Sequence, residues 1–295
     1  MRKLRLAFIA AAVLAISFTS CKDKFIDPVQ ENFVKDTTAI SAYAKAKGLA
    51  VLEALFGVRY VVTQANPTGK FPALADELEF TYTITRLDGT VIDVAARDTS
   101  IFFPFGLNAM LPGLETGFSK IREGEKAIFL IPSYVAFGTR EAVDGKLPAN
   151  SPVRFDVNLK RARSEDQQIE SFVERGKYSV TEKQTTGLRV IKTLAVPAGA
   201  ALIDGQTVTV KYSGRLLRAT KPFDSGTIDV PLGRGNVVAG FETGLKSLRV
   251  GEKGILVFPS SLGYGLRGRL DPTTNIVTIP PYAPLAFEVE IVSAK

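Results

Sequence analysis

Nearly the same string of twenty residues stands twice in this chain: Gly113 to Pro132 reads GLETGFSKIREGEKAIFLIP, and Gly240 to Pro259 reads GFETGLKSLRVGEKGILVFP. An internal repeat constrains the architecture before any single residue does, because whatever unit one copy builds the other must build too. In the second copy Phe241, Leu245 and Leu248 recur at i, i+4 and i+7, the apolar stripe of a helix. Gly251 is expected to end that helix ahead of the strand-like run Ile255 to Phe258. Leu114, Phe118, Ile121 and Gly124 repeat the pattern. The unit is therefore a short helix laid on strands.

The duplication reaches further on both sides. A leader helix is expected from Thr37 to about Lys47, with Ile40, Tyr43 and Ala44 on its apolar side. Its counterpart from Glu165 to about Arg175 carries Ile169, Phe172 and Val173 at the same spacing. Gly57 to Val61 and Gly187 to Ile191 read as matching strands. Leu78, Phe80 and Tyr82 alternate with Glu79, Thr81 and Thr83, and Val208, Val210 and Tyr212 alternate with Thr207, Thr209 and Lys211, which predicts half-buried strands. Val153, Phe155, Val157 and Leu159 close the first unit as Leu285, Phe287, Val289 and Ile291 close the second. With strands dominant and no βαβ alternation, the fold class is α+β, a bent antiparallel sheet wrapped on a short α-helix, present twice. The polar run Arg163 to Gln168 reads as a short linker. The division that follows is 37–163 and 164–295, each unit with its own leader helix.

Of 295 residues none is His or Trp and one is Cys. That removes His-based acid–base chemistry, Ser-His triads, zinc sites of several cysteines and histidines, and intramolecular disulfides. No run of Lys and Arg is interleaved with aromatics, so no nucleic-acid partner is expected. The net charge of +7 falls to about +4 without the N-terminal basic residues, a mild excess that suits a solvated surface beside anionic lipid. Arg2, Lys3 and Arg5 precede the apolar run Leu6 to Ile16, which has the length of a signal-peptide core and is too short to span a bilayer. Residues 1–20 are read as a cleaved signal and 21–36 as a tether. Phe18-Thr19-Ser20-Cys21 resembles the lipobox of bacterial lipoproteins, with Phe18 where Leu is usual. The resemblance implies lipidation of Cys21, through a thioether-linked diacylglycerol and an amide-linked acyl chain, and hence a membrane anchor. It also implies the envelope of a Gram-negative bacterium, at the outer membrane facing the periplasm. The competing reading is an ordinary secretory signal with an incidental Cys.

Tyr212, Phe223-Asp224, Val237-Val238, Gly240-Phe241-Glu242, Tyr264-Gly265, Ile279-Pro280-Pro281 and Phe287 stand in an order and spacing that resembles the FKBP-type peptidyl-prolyl isomerases, over Gly205 to Ile291. The first copy matches more loosely from Leu78 to Leu159. By position the resemblance implies that Phe241 is the floor of a proline pocket, where the best-known members have Trp. It makes Tyr212, Phe223, Val237, Val238 and Phe287 the walls. The Val238 N–H and the Tyr264 hydroxyl would each donate to a substrate carbonyl, Asp224, hydrogen-bonded near Tyr212, would form a polar edge, and Ile279 would line the rim. The implied partners are proline-containing unfolded or exported polypeptides, with macrolides as further ligands, and the implied chemistry uses no cofactor and no metal.

That chemistry suits the composition. An X–Pro amide turns over a barrier of roughly 18–20 kcal/mol because resonance holds it planar. Stripping water from it disfavours the charge-separated planar state, so the twisted state loses less than the ground state. In the first copy Tyr82, Asp93 and Phe155 persist, but Ile92 replaces Phe223, Leu114 replaces Phe241, and Phe137 replaces Tyr264. Asn150 and Ala149 stand for Tyr282 and the second Pro. That unit is expected to be weakly active or inactive. Two other readings remain: a holdase chaperone using both grooves, and a lipoprotein docking to an envelope complex.

Overall fold

The computed structural model describes residues 28–95, 99–274 and 276–295. The signal segment, Cys21 and the start of the expected tether lie outside them. In chain order the first unit comprises α1 (Pro28–Ala46), β1 (Leu52–Glu53), β2 (Arg59–Gln64), β3 (Glu77–Arg86), β4 (Val91–Val94), β5 (Ile101–Pro104), α2 (Pro112–Phe118), β6 (Lys126–Ile131) and β7 (Val153–Arg163). The second comprises α3 (Glu165–Gly176), β8 (Glu182–Lys183), β9 (Arg189–Leu194), β10 (Thr207–Leu216), β11 (Asp224–Pro231), α4 (Ala239–Leu245), β12 (Lys253–Phe258), β13 (Arg269–Leu270), β14 (Val277–Ile279) and β15 (Leu285–Ala294).

The sheets run β1-β2-β6-β7-β3-β4, with β5 also on β3, and β8-β9-β12-β15-β10-β11. These are one topology built twice, antiparallel throughout, with the closing strand β7 or β15 in the middle of its sheet. The alternating runs do what their period dictates. Val208, Val210, Phe287 and Val289 point into one core, and Leu78, Phe80, Phe155 and Val157 into the other. Each core is capped by its short helix, α2 or α4. The glycines of the repeated string explain how close these helices lie: a side-chain carbon at Gly240 or Gly244 would collide with Phe258 or Leu256 of β12, and one at Gly113 or Gly117 with Ile131 or Phe129 of β6.

The short helices end sooner than their stripes predict, at Leu245 and Phe118. Leu248 and Ile121 are still buried, but from the turns that follow. A glutamate fixes each of these turns. Glu252, almost wholly buried, accepts from the N–H groups of Arg249 (2.9 Å) and Val196 (3.2 Å), as Glu125 accepts from Arg122 (2.7 Å) and Asn66 (3.0 Å).

The leader helices lie on the outer faces of the sheets through Ile40 and Ala44 in α1, and through Ile169, Phe172 and Val173 in α3. Two expectations need correction. Helix α1 begins at Pro28, so residues 28–36, read as tether, are helical; proline is well suited to a first helical turn. Arg163 to Gln168 is no loop either: Arg163 ends β7, and Ser164 alone separates it from α3, which it caps in a reciprocal box with Gln167. Both helices also hold the turn that follows the strand beneath them. The Asp36 carboxylate accepts from the Ser133 N–H (2.7 Å), and Glu165 accepts from both the N–H (2.5 Å) and the hydroxyl (2.8 Å) of Ser260.

The two units touch through Arg218, whose guanidinium donates twice to Glu77 (2.7 Å each) and lies 3.7 Å over the Phe102 ring.

Candidate active site

Concave under the second sheet lies a cavity of about 430 Å3 lined by Tyr212, Asp224, Ile228, Asn236, Val237, Val238, Phe241, Tyr264, Arg269 and Phe287. Five elements converge on it. Strand β10 supplies Tyr212 and β15 supplies Phe287, two residues on the concave side of paired strands, with ring centres 6.4 Å apart. Helix α4 raises Phe241 between them, edge-on to Tyr212 at 5.9 Å and to Phe287 at 5.0 Å. It forms the floor, only 3% exposed, so the cavity rests on the hydrophobic core itself. Val238 precedes α4 in extended conformation, and as the residue before a helix its N–H has no intrahelical carbonyl to bond. The loop bearing Asn236, Val237 and Val238 is tied down by Glu242, which accepts from the N–H groups of Gly233 and Gly235.

The polar edge is made by Asp224, the first residue of β11, by Tyr264, and by Arg269 of β13. Arg269 stands 3.7 Å from the Asp224 carboxylate and 5.9 Å from the centre of the Tyr264 ring. Burial, and then the Asp224 carboxylate, push the Tyr212 phenol above its usual range, while Arg269 works against the rise. The Tyr212 hydroxyl is therefore a neutral donor at ordinary pH. Such a site offers aromatic walls, a dry floor and a few oriented donors, and it contains no nucleophile activated by a base.

Seven of the nine residues expected here line the cavity. Phe223 does not; it packs edge-on behind Phe287 at 5.7 Å. Ile279, expected on the rim, is fully buried in β14 as part of the core. Three lining residues were missed: Ile228, Asn236 and Arg269. The alternation of Ile228 and Val230 is the signal that could have found Ile228, which pairs with Val210 of β10. Arg269 gave no signal, because it sits in the aperiodic stretch Leu266 to Val277.

The equivalent place in the first unit is altered. The Tyr82 hydroxyl donates to Asp93 at 2.7 Å, and burial together with that carboxylate lifts its pKa to about 12. Leu114 forms the floor, Phe137 brings no hydroxyl, and one carboxylate oxygen of Glu115, the counterpart of Glu242, is buried without a hydrogen-bond partner. The backbone is nevertheless conserved between copies. Asn150 and Tyr282 both have positive φ, 52° and 56°, and donate to the carbonyls of Gly138 and Gly265.

A family model described as FKBP-type peptidyl-prolyl cis-trans isomerase matches residues 68–160 and again residues 199–292. The chain belongs to this family. Among curated FKBP relatives, rat peptidyl-prolyl cis-trans isomerase FKBP9 (Rattus norvegicus) is 29% identical over 228 residues, 74% of this chain and 35% of its own length. FKBP53 of Arabidopsis thaliana is 37% identical over 103 residues, 34% of this chain and 20% of its own. The chain thus spans about a third of the length of the first curated relatives it matches. Among solved FKBP structures, FkpA from Escherichia coli aligns at 29% identity over 45% of this chain and 60% of its own, with a TM-score of 0.38. The three FKBP domains of wheat FKBP73 align at 20% identity over 83% of this chain and 99% of theirs, also at 0.38.

Proposed function

We propose that the second unit isomerises X–Pro peptide bonds and that the protein assists the folding of exported polypeptides. The observation that carries this reading is the meeting of Tyr212, Phe241 and Phe287 around a cavity edged by Asp224, Tyr264 and the Val238 N–H. Proline enters against Phe241, and the flanking imide leaves water for an aromatic box. The planar, charge-separated amide depends on that water more than the twisted one does. Val238 and Tyr264 donate to the carbonyls that flank the proline and hold the chain while the imide turns. A ten-thousandfold acceleration requires about 5.4 kcal/mol, which desolvation and two or three directed hydrogen bonds can supply. The first unit, with Leu114 and Phe137 at the equivalent positions, serves as a peptide-binding or spacing module.

The test is protease-free isomerisation kinetics on a proline peptide with residues 22–295. Phe241→Leu, which copies the floor of the first unit, is expected to lower kcat/KM by about tenfold or more, about 1.4 kcal/mol of transition-state stabilisation. A change in the first unit at the counterpart of Tyr264, Phe137→Leu, should leave turnover within about twofold. A folded wild-type chain without activity would remove the enzymatic reading and bring forward a holdase or docking role.

We further propose that Cys21 is lipidated and anchors the chain to a bacterial outer membrane on its periplasmic side. The support is the basic residues and apolar run before it and its place as the sole Cys. Metabolic labelling with a palmitate analogue, lost in Cys21→Ala together with membrane fractionation, checks this. Retention of label in that variant would exclude it.

A further inference from the structure

We propose that Glu165, the first residue of α3 and outside the cavity, is a positioning residue for Tyr264. Its carboxylate takes both donors of Ser260, the N–H at 2.5 Å and the hydroxyl at 2.8 Å. The carbonyl of the same serine accepts from the N–H groups of Gly263 and Gly265, each at 2.8 Å. These two residues flank Tyr264, so the backbone carrying the cavity's phenol is closed into a loop around one residue, and that residue is clamped by the leader helix. Ser260 is 4% exposed, and its N–H has no water to turn to when the carboxylate is removed. Gly263 has φ −117° and ψ −117°, a conformation outside the usual helical and extended regions, so the turn depends on its bonds to keep its shape.

The repeat supplies an independent argument. Asp36 occupies the same place on α1 that Glu165 occupies on α3, four residues before Ile40 as Glu165 is four before Ile169. It accepts from Ser133, whose carbonyl likewise holds Ala136 and Gly138 around Phe137. Ala136 has nearly the backbone of Gly263, φ −113° and ψ −108°. The second copy differs in having two bonds to its serine, and it is the copy whose turn presents a hydroxyl to a cavity.

This inference rests on the isomerase reading, and two measurements keep the two separable. In a double-mutant cycle on residues 22–295, Glu165→Ala should lower kcat/KM about fivefold, mostly in kcat, yet by less than about twofold when Tyr264→Phe is already present. Glu165→Gln, which keeps an oxygen acceptor, should recover most of the loss. Equal losses in both backgrounds, or no loss in a folded Glu165→Ala chain, would overturn the proposal. Should Glu165→Ala fail to fold, Ser260→Ala removes the hydroxyl contact alone and enters the same cycle. Amide hydrogen exchange reads the turn without turnover: Glu165→Ala should speed exchange at Gly263 and Gly265 by about tenfold or more while Leu256 in β12 stays protected. Unchanged exchange there would refute the clamp even in an active enzyme. Altered exchange in a chain with no isomerase activity would retain the clamp and remove the isomerase reading.

Discussion

A phenylalanine at position 241 and a leucine at 114 show how much one side chain decides in this fold. Both are buried and both cap a core, but only Phe241 presents a ring to a cavity walled by Tyr212 and Phe287. Tyr82 carries the clearest consequence of the first unit's altered site. Its hydroxyl is held by Asp93, and its pKa of about 12 stands above the ordinary value of 10.0. The folded chain keeps that proton where an unfolded chain has lost it, so the bond's contribution to stability is complete below pH 10 and is lost as pH climbs through about 12. The tyrosinate absorbance difference between wild type and Tyr82→Phe should have its midpoint near 12 in the folded protein and near 10 in denaturant; a folded midpoint near 10 would refute it. Residues of the cavity were legible where the motif agreed with a strand period, as at Tyr212 and Phe287, or with a helical stripe, as at Phe241. Phe223 and Ile279 were misplaced because sequence order does not say on which side of a neighbouring ring a side chain packs. Arg269 was invisible because β13, two residues long, is too short to show a period.

Elements were more legible than their ends. The leader helices and the long strands β3, β7, β10 and β15 stood out through the spacing of their apolar residues, but β11 was missed. The short helices were overextended because Leu248 and Ile121 satisfy a helical stripe equally well from a turn that folds back on the core. What closes that turn in the second unit is Glu252, buried with Lys192 2.9 Å away. Burial works against its charge, but Lys192 and the N–H groups of Val196 and Arg249 outweigh it and hold the carboxyl below its ordinary 4.5. Its contribution is therefore complete above pH 4.5 and is lost as pH falls through the lowered value. Glu252→Gln should cost about 1–3 kcal/mol in urea unfolding at neutral pH. The difference should narrow in acid as the wild-type carboxylate itself takes up a proton. A difference that stays constant with pH would mean that shape rather than charge holds the turn.

Across the whole molecule, duplication was the most readable fact and the contact between copies the least. Nothing in the repeat foretells that Arg218 reaches Glu77 and Phe102, because a contact between copies is no part of the pattern that each copy repeats. Part-exposed ion pairs contribute little, so Arg218→Ala should change unfolding free energy by no more than about 1 kcal/mol. It should instead broaden the distribution of distances between spin labels placed one on each unit, with turnover unchanged. An unaltered distribution would show that the single-residue join at Ser164 and the remaining contacts, such as Lys70 on Gln167, restrain the units without Arg218. The position of β7 and β15 has a consequence for synthesis. Each is the last strand of its unit to be made and the one that lies between β6 and β3, or between β12 and β10. A chain emerging from its N-terminus therefore carries two unjoined half-sheets with open edges until residue 163 is released, and meets the same interval again before residue 294. Both of these exposed intervals must be crossed before either unit has a complete sheet to close over its core.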